Sequence, residues 1–171
     1  MISGPSCPRP RRHRRRWRGL SLGFFNPCGL RTLDKPCPDS RIWQGSTSPY
    51  HLIRVLTDNN LDICGLGEIH VRHVREQQLF QRQLDEASDE LDLPHFTIHW
   101  GCAASRGASS ESKSGVALVI RSDLLEGGDL TIIKDAEQDR DGRLMEMDLS
   151  WKGHAFRVFS VYLPSGKTGA I

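Results

Sequence analysis

Leu61-Asp-Ile-Cys-Gly-Leu-Gly-Glu-Ile-His70 is a short apolar run that ends in a carboxylate, Glu68, with an imidazole, His70, two positions on. Asp62 opens the run, and Ile63, Cys64 and Leu66 fill it as a buried strand would. Such a strand, delivering one acid at its C-terminal end, places a metal ligand or catalytic acid on a rigid element. Helical patterns lie on both sides. Upstream, Ser48-Pro49 supplies an N-cap followed by proline at the first helical position, with Leu52, Ile53 and Leu56 on one face up to Asn59-Asn60. Downstream, Phe80, Leu84, Ala87 and Leu91 recur at helical spacing within about 72–92, and Pro94 stops the pattern. Helix, strand and helix in alternation predict an α/β fold.

The remaining segments read mostly as strands. Residues 19–26 alternate Leu20, Leu22 and Phe24 before Asn26-Pro27, which predicts a first strand with Asn26 at its end. Residues 31–48 have loop composition, with Pro36, Pro38 and Gly45. His95–Trp100 alternates with Phe96, Ile98 and Trp100 on one face, and a Gly/Ser/Ala loop follows over 101–114. Gly115–Arg121 is β-branched and uncharged until Arg121, and 130–134 is a weaker strand. Met145, Met147 and Leu149 alternate with Glu146 and Asp148, so one face is buried and one wet. Trp151-Lys-Gly-His154 reads as a hairpin turn, and Phe156–Leu163 as a returning buried strand. The second half is therefore a β-meander with little helix.

At 171 residues the chain is sized for one domain, with 37% hydrophobic and 26% charged residues. Its net charge of +2 averages two unlike parts. Residues 1–18 hold seven arginines, among them Arg11, Arg12, Arg14, Arg15 and Arg16, and no acid. The other 16 basic residues face 21 acidic ones, so the folded part is not a basic nucleic-acid module. The tail, 1–18, is expected to be disordered, with a nuclear-localisation or phosphate-binding role, a mitochondrial presequence, or no selected role as readings. Five cysteines without Cys-x-x-Cys spacing indicate neither a disulfide framework nor a zinc site. No 18-residue apolar stretch and no secretory apolar core are present, which predicts an intracellular protein, nuclear on the strength of the tail, with no membrane partner.

Asn26, Glu68 and Tyr162 each close an apolar strand with a polar group. Strand ends that gather polar groups build a site at one rim of a sheet core. A carboxylate can hold Mg²⁺, an amide can orient a neighbour or hold a phosphate oxygen, and a phenol can steady a phosphate. Taken singly, each is more often a cap or a satisfied surface group. Other signals are weaker: His70 with His73, and His95 with His99, are expected to be exposed or structural, Trp17 could stack on a base, and Gly166-Lys-Thr168 lacks the upstream glycine of a phosphate-binding loop.

Five segments in order resemble the endonuclease/exonuclease/phosphatase superfamily. They are Asn26-Pro-Cys-Gly-Leu30, Leu61–His70, Ser114-Gly-Val-Ala-Leu-Val-Ile120, Asp141-Gly-Arg143 and Val161-Tyr-Leu-Pro164. The chain is most similar to the endonuclease domain of LINE-type (non-LTR) retrotransposons, itself similar to apurinic/apyrimidinic endonucleases. The resemblance implies the N-terminal part of a four-layer α/β sandwich, two packed β-sheets flanked by helices, over 19–171. It also implies Mg²⁺-dependent phosphodiester hydrolysis, with Mn²⁺ as an alternative, and DNA as the partner of the complete ancestor. Carried over, Glu68 is the metal ligand, Tyr162 the phosphate-contacting hydroxyl and Asn26 the strand-end amide.

The departures point the other way. Gly67 and Ile69 replace the usual Gln and Thr beside Glu68, Cys28 stands where repair enzymes often have Asp, and Ser165 follows Pro164 where Asn is common. The family's Gly-Asp-x-Asn and Ser-Asp-His segments do not occur in this sequence. The resemblance therefore implies an incomplete, truncated domain that is inactive or nearly so, since such groups act as a unit. Alternatives are a phosphatase or deadenylase of the same fold, or a non-catalytic fragment that binds nucleic acid through the tail. The oligomeric state is left open.

Overall fold

The computed structural model describes residues 19–32, 47–71, 73–101, 115–139 and 142–163. In chain order the elements are β1 (Leu22–Phe25), α1 (Pro49–Asp58), β2 (Ile63–Leu66), α2 (Val74–Leu91), β3 (Phe96–Gly101), β4 (Val116–Arg121), α3 (Ser122–Glu126), β5 (Leu130–Gln138), β6 (Leu144–Trp151) and β7 (His154–Val161). One sheet has the order β1-β2-β4-β3 and the other β5-β6-β7. β1 and β2 are parallel, and every other pairing between these strands is antiparallel.

The two central strands of the first sheet are buried on both faces, which is why their sequences run apolar without alternation. On one face α1 and α2 pack with Leu52, Ile53, Leu56, Phe80, Leu84 and Ala87 against Cys64, Leu66, Phe96 and Val119. Each large side chain enclosed there contributes about 1.5–3 kcal/mol relative to exposure. Ser48 caps α1 by accepting from the His51 N–H. On the other face Ile63, Leu118 and Ile120 meet Leu130, Met145, Met147 and Leu149 of the second sheet. The chain is thus an α/β sandwich of two packed sheets with helices, and among the described residues the long helices cover the first sheet only.

Three expectations change. β5 runs on through Lys134-Asp-Ala-Glu-Gln138, because two bulges, between Ile132 and Lys134 and between Lys134 and Glu137, let charged residues stay on an edge strand. A turn of helix, α3, follows β4 directly. The returning strand β7 is buried on one face only: Ser160 is enclosed and Phe156 and Val158 pack toward the first sheet, while Phe159 is 52% and Val161 41% exposed, because they lie on the opposite face of the second sheet, which no helix among the described residues covers. The turn before it is the expected one, with Lys152 and Gly153 both at positive φ, 49° and 87°.

Candidate functional site

The polypeptide leaves β2 through an unusual path. Glu68 and His70 both take left-handed φ, 56° and 55°, with buried Ile69 between them. A left-handed conformation costs a non-glycine residue roughly 1–2 kcal/mol, and here neighbouring backbone bonds hold it. The Gly67 N–H donates to Phe25 O, Ile69 N–H to Gly115 O, and Leu30 N–H to Ile69 O. Strain fixed in this way marks a position where a side chain has to point in one direction.

That direction is toward the ends of two other strands. Asn26 Nδ2 donates to Glu68 Oε2 at 3.1 Å, and Asn26 Oδ1 in turn accepts from the Cys28 N–H at 2.9 Å, which locks the amide. The Tyr162 hydroxyl lies close enough to Glu68 to interact with its carboxylate. His70 Nε2 stands 3.7 Å from Glu68 Oε1. The Tyr162 pKa is raised, first by burial, then by the Glu68 charge and by the hydrogen bond to Glu68; Arg143 opposes the shift. The phenol therefore stays protonated and is a donor at neutral pH. Asn26, Glu68 and Tyr162, separated in sequence and divided between the two sheets, are brought together.

Three more groups join them. His70 is exposed, as expected, and its ring also turns toward Glu68 and lies against Gly29, where an added Cβ would be 3.3 Å from His70 Cδ2. Arg143, seen in the sequence only as part of a resemblance, brings a cation close enough to Tyr162 to act on its charge. Cys28 is exposed and sits near enough to Tyr162 to contribute to its field. Gly67 has a packing cause: a Cβ there would approach Phe24 Cζ to 2.9 Å and Tyr162 Cδ2 to 3.4 Å, so the ring of Phe24 fills the space a larger residue would use.

His95 and His99 do not share an environment. His95 bonds Asp89 at 3.1 Å, whereas His99 turns toward the second sheet. Arg11, Arg12, Arg14, Arg15, Arg16, Trp17, Asp141, Pro164, Ser165 and Gly166-Lys-Thr168 lie outside the described residues.

As a place for a divalent cation the rim offers one carboxylate. Among the described residues no three His, Cys, Asp or Glu side chains converge closely enough to hold a metal ion. Mg²⁺ commonly takes one or two carboxylates and fills its shell with water and substrate phosphate. The donor set fits that minimal mode, with Glu68 as the ligand, and does not form an all-protein cage. A cleft of about 650 Å³ lies elsewhere, between α2, β3 and α3. Polar groups there are already engaged, Gln81 with the β3 backbone and His95 with Asp89, so that cleft does not displace the strand-end rim as the candidate site.

No family model and no curated protein matches the sequence. Among solved structures, the AP endonuclease LMAP of Leishmania major is similar, with a TM-score of 0.48 and 15% sequence identity over 84% of this chain and 40% of that one. The chain thus spans less than half the length of that enzyme. No helix among the described residues is long and apolar enough to cross a membrane.

Proposed function

We propose that this chain carries the metal-ligand rim of an endonuclease-type phosphodiesterase domain, of the retrotransposon kind, whose complete form nicks DNA with Mg²⁺. By itself the chain turns over slowly or not at all. The observation that carries this is the convergence of Asn26, Tyr162 and Glu68 on one point, from the ends of strands in two sheets.

The geometry supports the roles that the resemblance implies. Glu68 would hold the cation through one carboxylate oxygen while Asn26 and Tyr162 keep the carboxylate oriented. When bound, the cation neutralises charge that grows on the phosphate oxygens in the transition state. Tyr162, kept protonated, donates to a non-bridging phosphate oxygen once substrate displaces its bond to Glu68, and Arg143 supplies a fixed positive charge beside it. Attack by water in line would leave 3′-hydroxyl and 5′-phosphate ends. A single carboxylate at the rim, without the family's downstream Asp, Asn and His, lowers the rate by several orders of magnitude.

Two measurements test this. Incubated with supercoiled plasmid and Mg²⁺, the purified chain should leave the plasmid intact; nicking that disappears in Glu68→Gln would refute the claim of inactivity. In a Mn²⁺ titration followed by electron paramagnetic resonance, weak binding should be lost in Glu68→Gln. Equal binding by that variant would remove Glu68 as the ligand.

A further inference from the structure

The turn after β1 is where the rim is assembled. Cys28 takes a left-handed φ of 50° and Gly29 one of 100°. The glycine adopts this freely, but at Cys28 the Cβ crowds the following carbonyl, so the turn needs outside support to persist. Three parts of the site depend on it. It presents the Cys28 N–H to Asn26 Oδ1 at 2.9 Å, and with that oxygen fixed the other end of the amide, Nδ2, donates to Glu68 Oε2 at 3.1 Å. It carries Gly29, against which the His70 ring lies. It ends at Leu30, whose N–H donates to the carbonyl of Ile69, the residue between Glu68 and His70.

Thr47 grips this turn at three points. Its N–H donates to Gly29 O at 2.8 Å, its carbonyl accepts from the Arg31 N–H at 3.1 Å, and its Oγ1 donates to Pro27 O at 3.0 Å. The first two bonds form an isolated parallel bridge between Leu30 and Thr47, which backbone groups make whatever the side chain. The third needs a hydroxyl. Pro27 is buried and has no N–H, so its carbonyl is its one backbone polar group, and Thr47, 4% exposed, meets it away from water. Because Pro27 directly follows Asn26, this bond fixes the stretch of backbone on which the amide is mounted.

Thr47 is itself held in place. It precedes Ser48, whose side chain caps α1 by accepting from the His51 N–H at 3.3 Å, and α1 is anchored through the buried side chains of Leu52, Ile53 and Leu56. The position of the turn is thereby referred to a helix packed on the first sheet, and a group mounted on such a rigid element keeps its aim.

We infer that Thr47 is a positioning residue of the rim. Through the Pro27 carbonyl its hydroxyl holds the turn from Asn26 to Leu30 in the arrangement that directs the Asn26 amide onto Glu68, and so sets how well the carboxylate is preorganised for a cation. The second of these steps rests on the reading of Glu68 as the metal ligand. The first, from Thr47 to the Asn26 amide, stands without it.

Thr47→Val removes the hydroxyl and keeps the shape. In the full chain without metal, exchange of the Cys28 amide with water, followed by nuclear magnetic resonance, should quicken at least about tenfold in this variant. Its Mn²⁺ affinity, read by electron paramagnetic resonance, should fall at least about threefold. Thr47→Ser keeps the donor and should stay within about twofold of the parent in both measurements. In an Asn26→Ala background, Thr47→Val should lower Mn²⁺ affinity by less than about twofold further, because the route through the amide is already cut. Gln81→Ala, a loss at the β3 edge, controls for general loosening and should leave both readouts at the parent values. Thr47→Ala replaces the valine variant if circular dichroism shows that variant unfolded. Unchanged Cys28 exchange in Thr47→Val overturns the inference. So does unchanged Mn²⁺ affinity in Thr47→Val where Glu68→Gln loses binding, and so does a full Thr47→Val loss in the Asn26→Ala background. Mn²⁺ binding that Glu68→Gln does not weaken removes Glu68 as the ligand and overturns the cation step with it, while the Cys28 exchange still decides the step from Thr47 to Asn26.

Discussion

Cys28 and Cys64 show how placement decides the chemistry of one residue type. Cys64 is enclosed between the first sheet and the helices, and burial pushes its thiol up to about 12. At neutral pH it is fully protonated and inert, because the thiolate is the reacting species. Cys28 is exposed at the site rim, with its backbone N–H held by Asn26. Brief treatment with iodoacetamide at neutral pH, followed by peptide mass spectrometry, should label Cys28 and leave Cys64 unmodified until urea is added. Labelling of Cys64 in the native protein at a comparable rate would show that the core opens readily on the first sheet. Glu68 belongs to the same scale: a left-handed φ forced by three flanking backbone bonds is what aims its carboxylate at Asn26 and Tyr162.

Among the elements, the α2–β3 pair depends on a side chain whose role no periodicity reveals. The apolar face of α2, with Phe80, Leu84 and Ala87, packs into the core as its spacing predicts, and Phe80 meets Trp100 edge-on with ring centroids 6.1 Å apart. Gln81 falls next to that face and closes the β3 edge through both ends of its amide. Replacing Gln81 by Ala leaves the Ile98 N–H and the Phe96 carbonyl without those partners, which costs about 1–3 kcal/mol. The urea midpoint should fall correspondingly with no change in slope. Gln81→Glu, which keeps the acceptor for Ile98 but loses the donor to Phe96, should recover part of the loss. If Gln81→Ala is as stable as the parent chain, water replaces the amide there and the edge is not closed by it.

At the scale of the whole molecule, the layer between the sheets holds a titratable misfit. His99 extends from β3 toward β5, its Nε2 buried without a hydrogen-bond partner. Its pKa is lowered by burial, against a smaller opposing pull from Asp135. In the unfolded chain the imidazole titrates near about 6.5. Below that pH the unfolded state binds the proton more readily than the folded one, so this contribution to stability is complete above about 6.5 and is lost as pH falls through the folded value. The urea midpoint should drop between about pH 7.5 and about pH 5, and His99→Phe should flatten that part of the profile. A profile unchanged by His99→Phe would place the pH dependence elsewhere.

Local pattern by itself determined the positions of the strands Ile63–Leu66 and Val116–Arg121, the apolar faces of α1 and α2, and the turn at Lys152-Gly153. Each depends on residues within one element: a fully apolar run, a 3.6-residue period, a glycine where φ is positive. The same logic marked Asn26, Glu68 and Tyr162 as strand-end polar groups. Only the tertiary structure decided that the three meet, because their approach depends on which strands pair and how one sheet sits over the other. It also brought His70 and Arg143 to Glu68 and Tyr162, and it left the Phe159 and Val161 face of β7 uncovered among the described residues. Phe156–Leu163 reads as buried because its composition is that of an interior strand, but burial depends on a neighbour, and no residue in the strand encodes whether that neighbour is present.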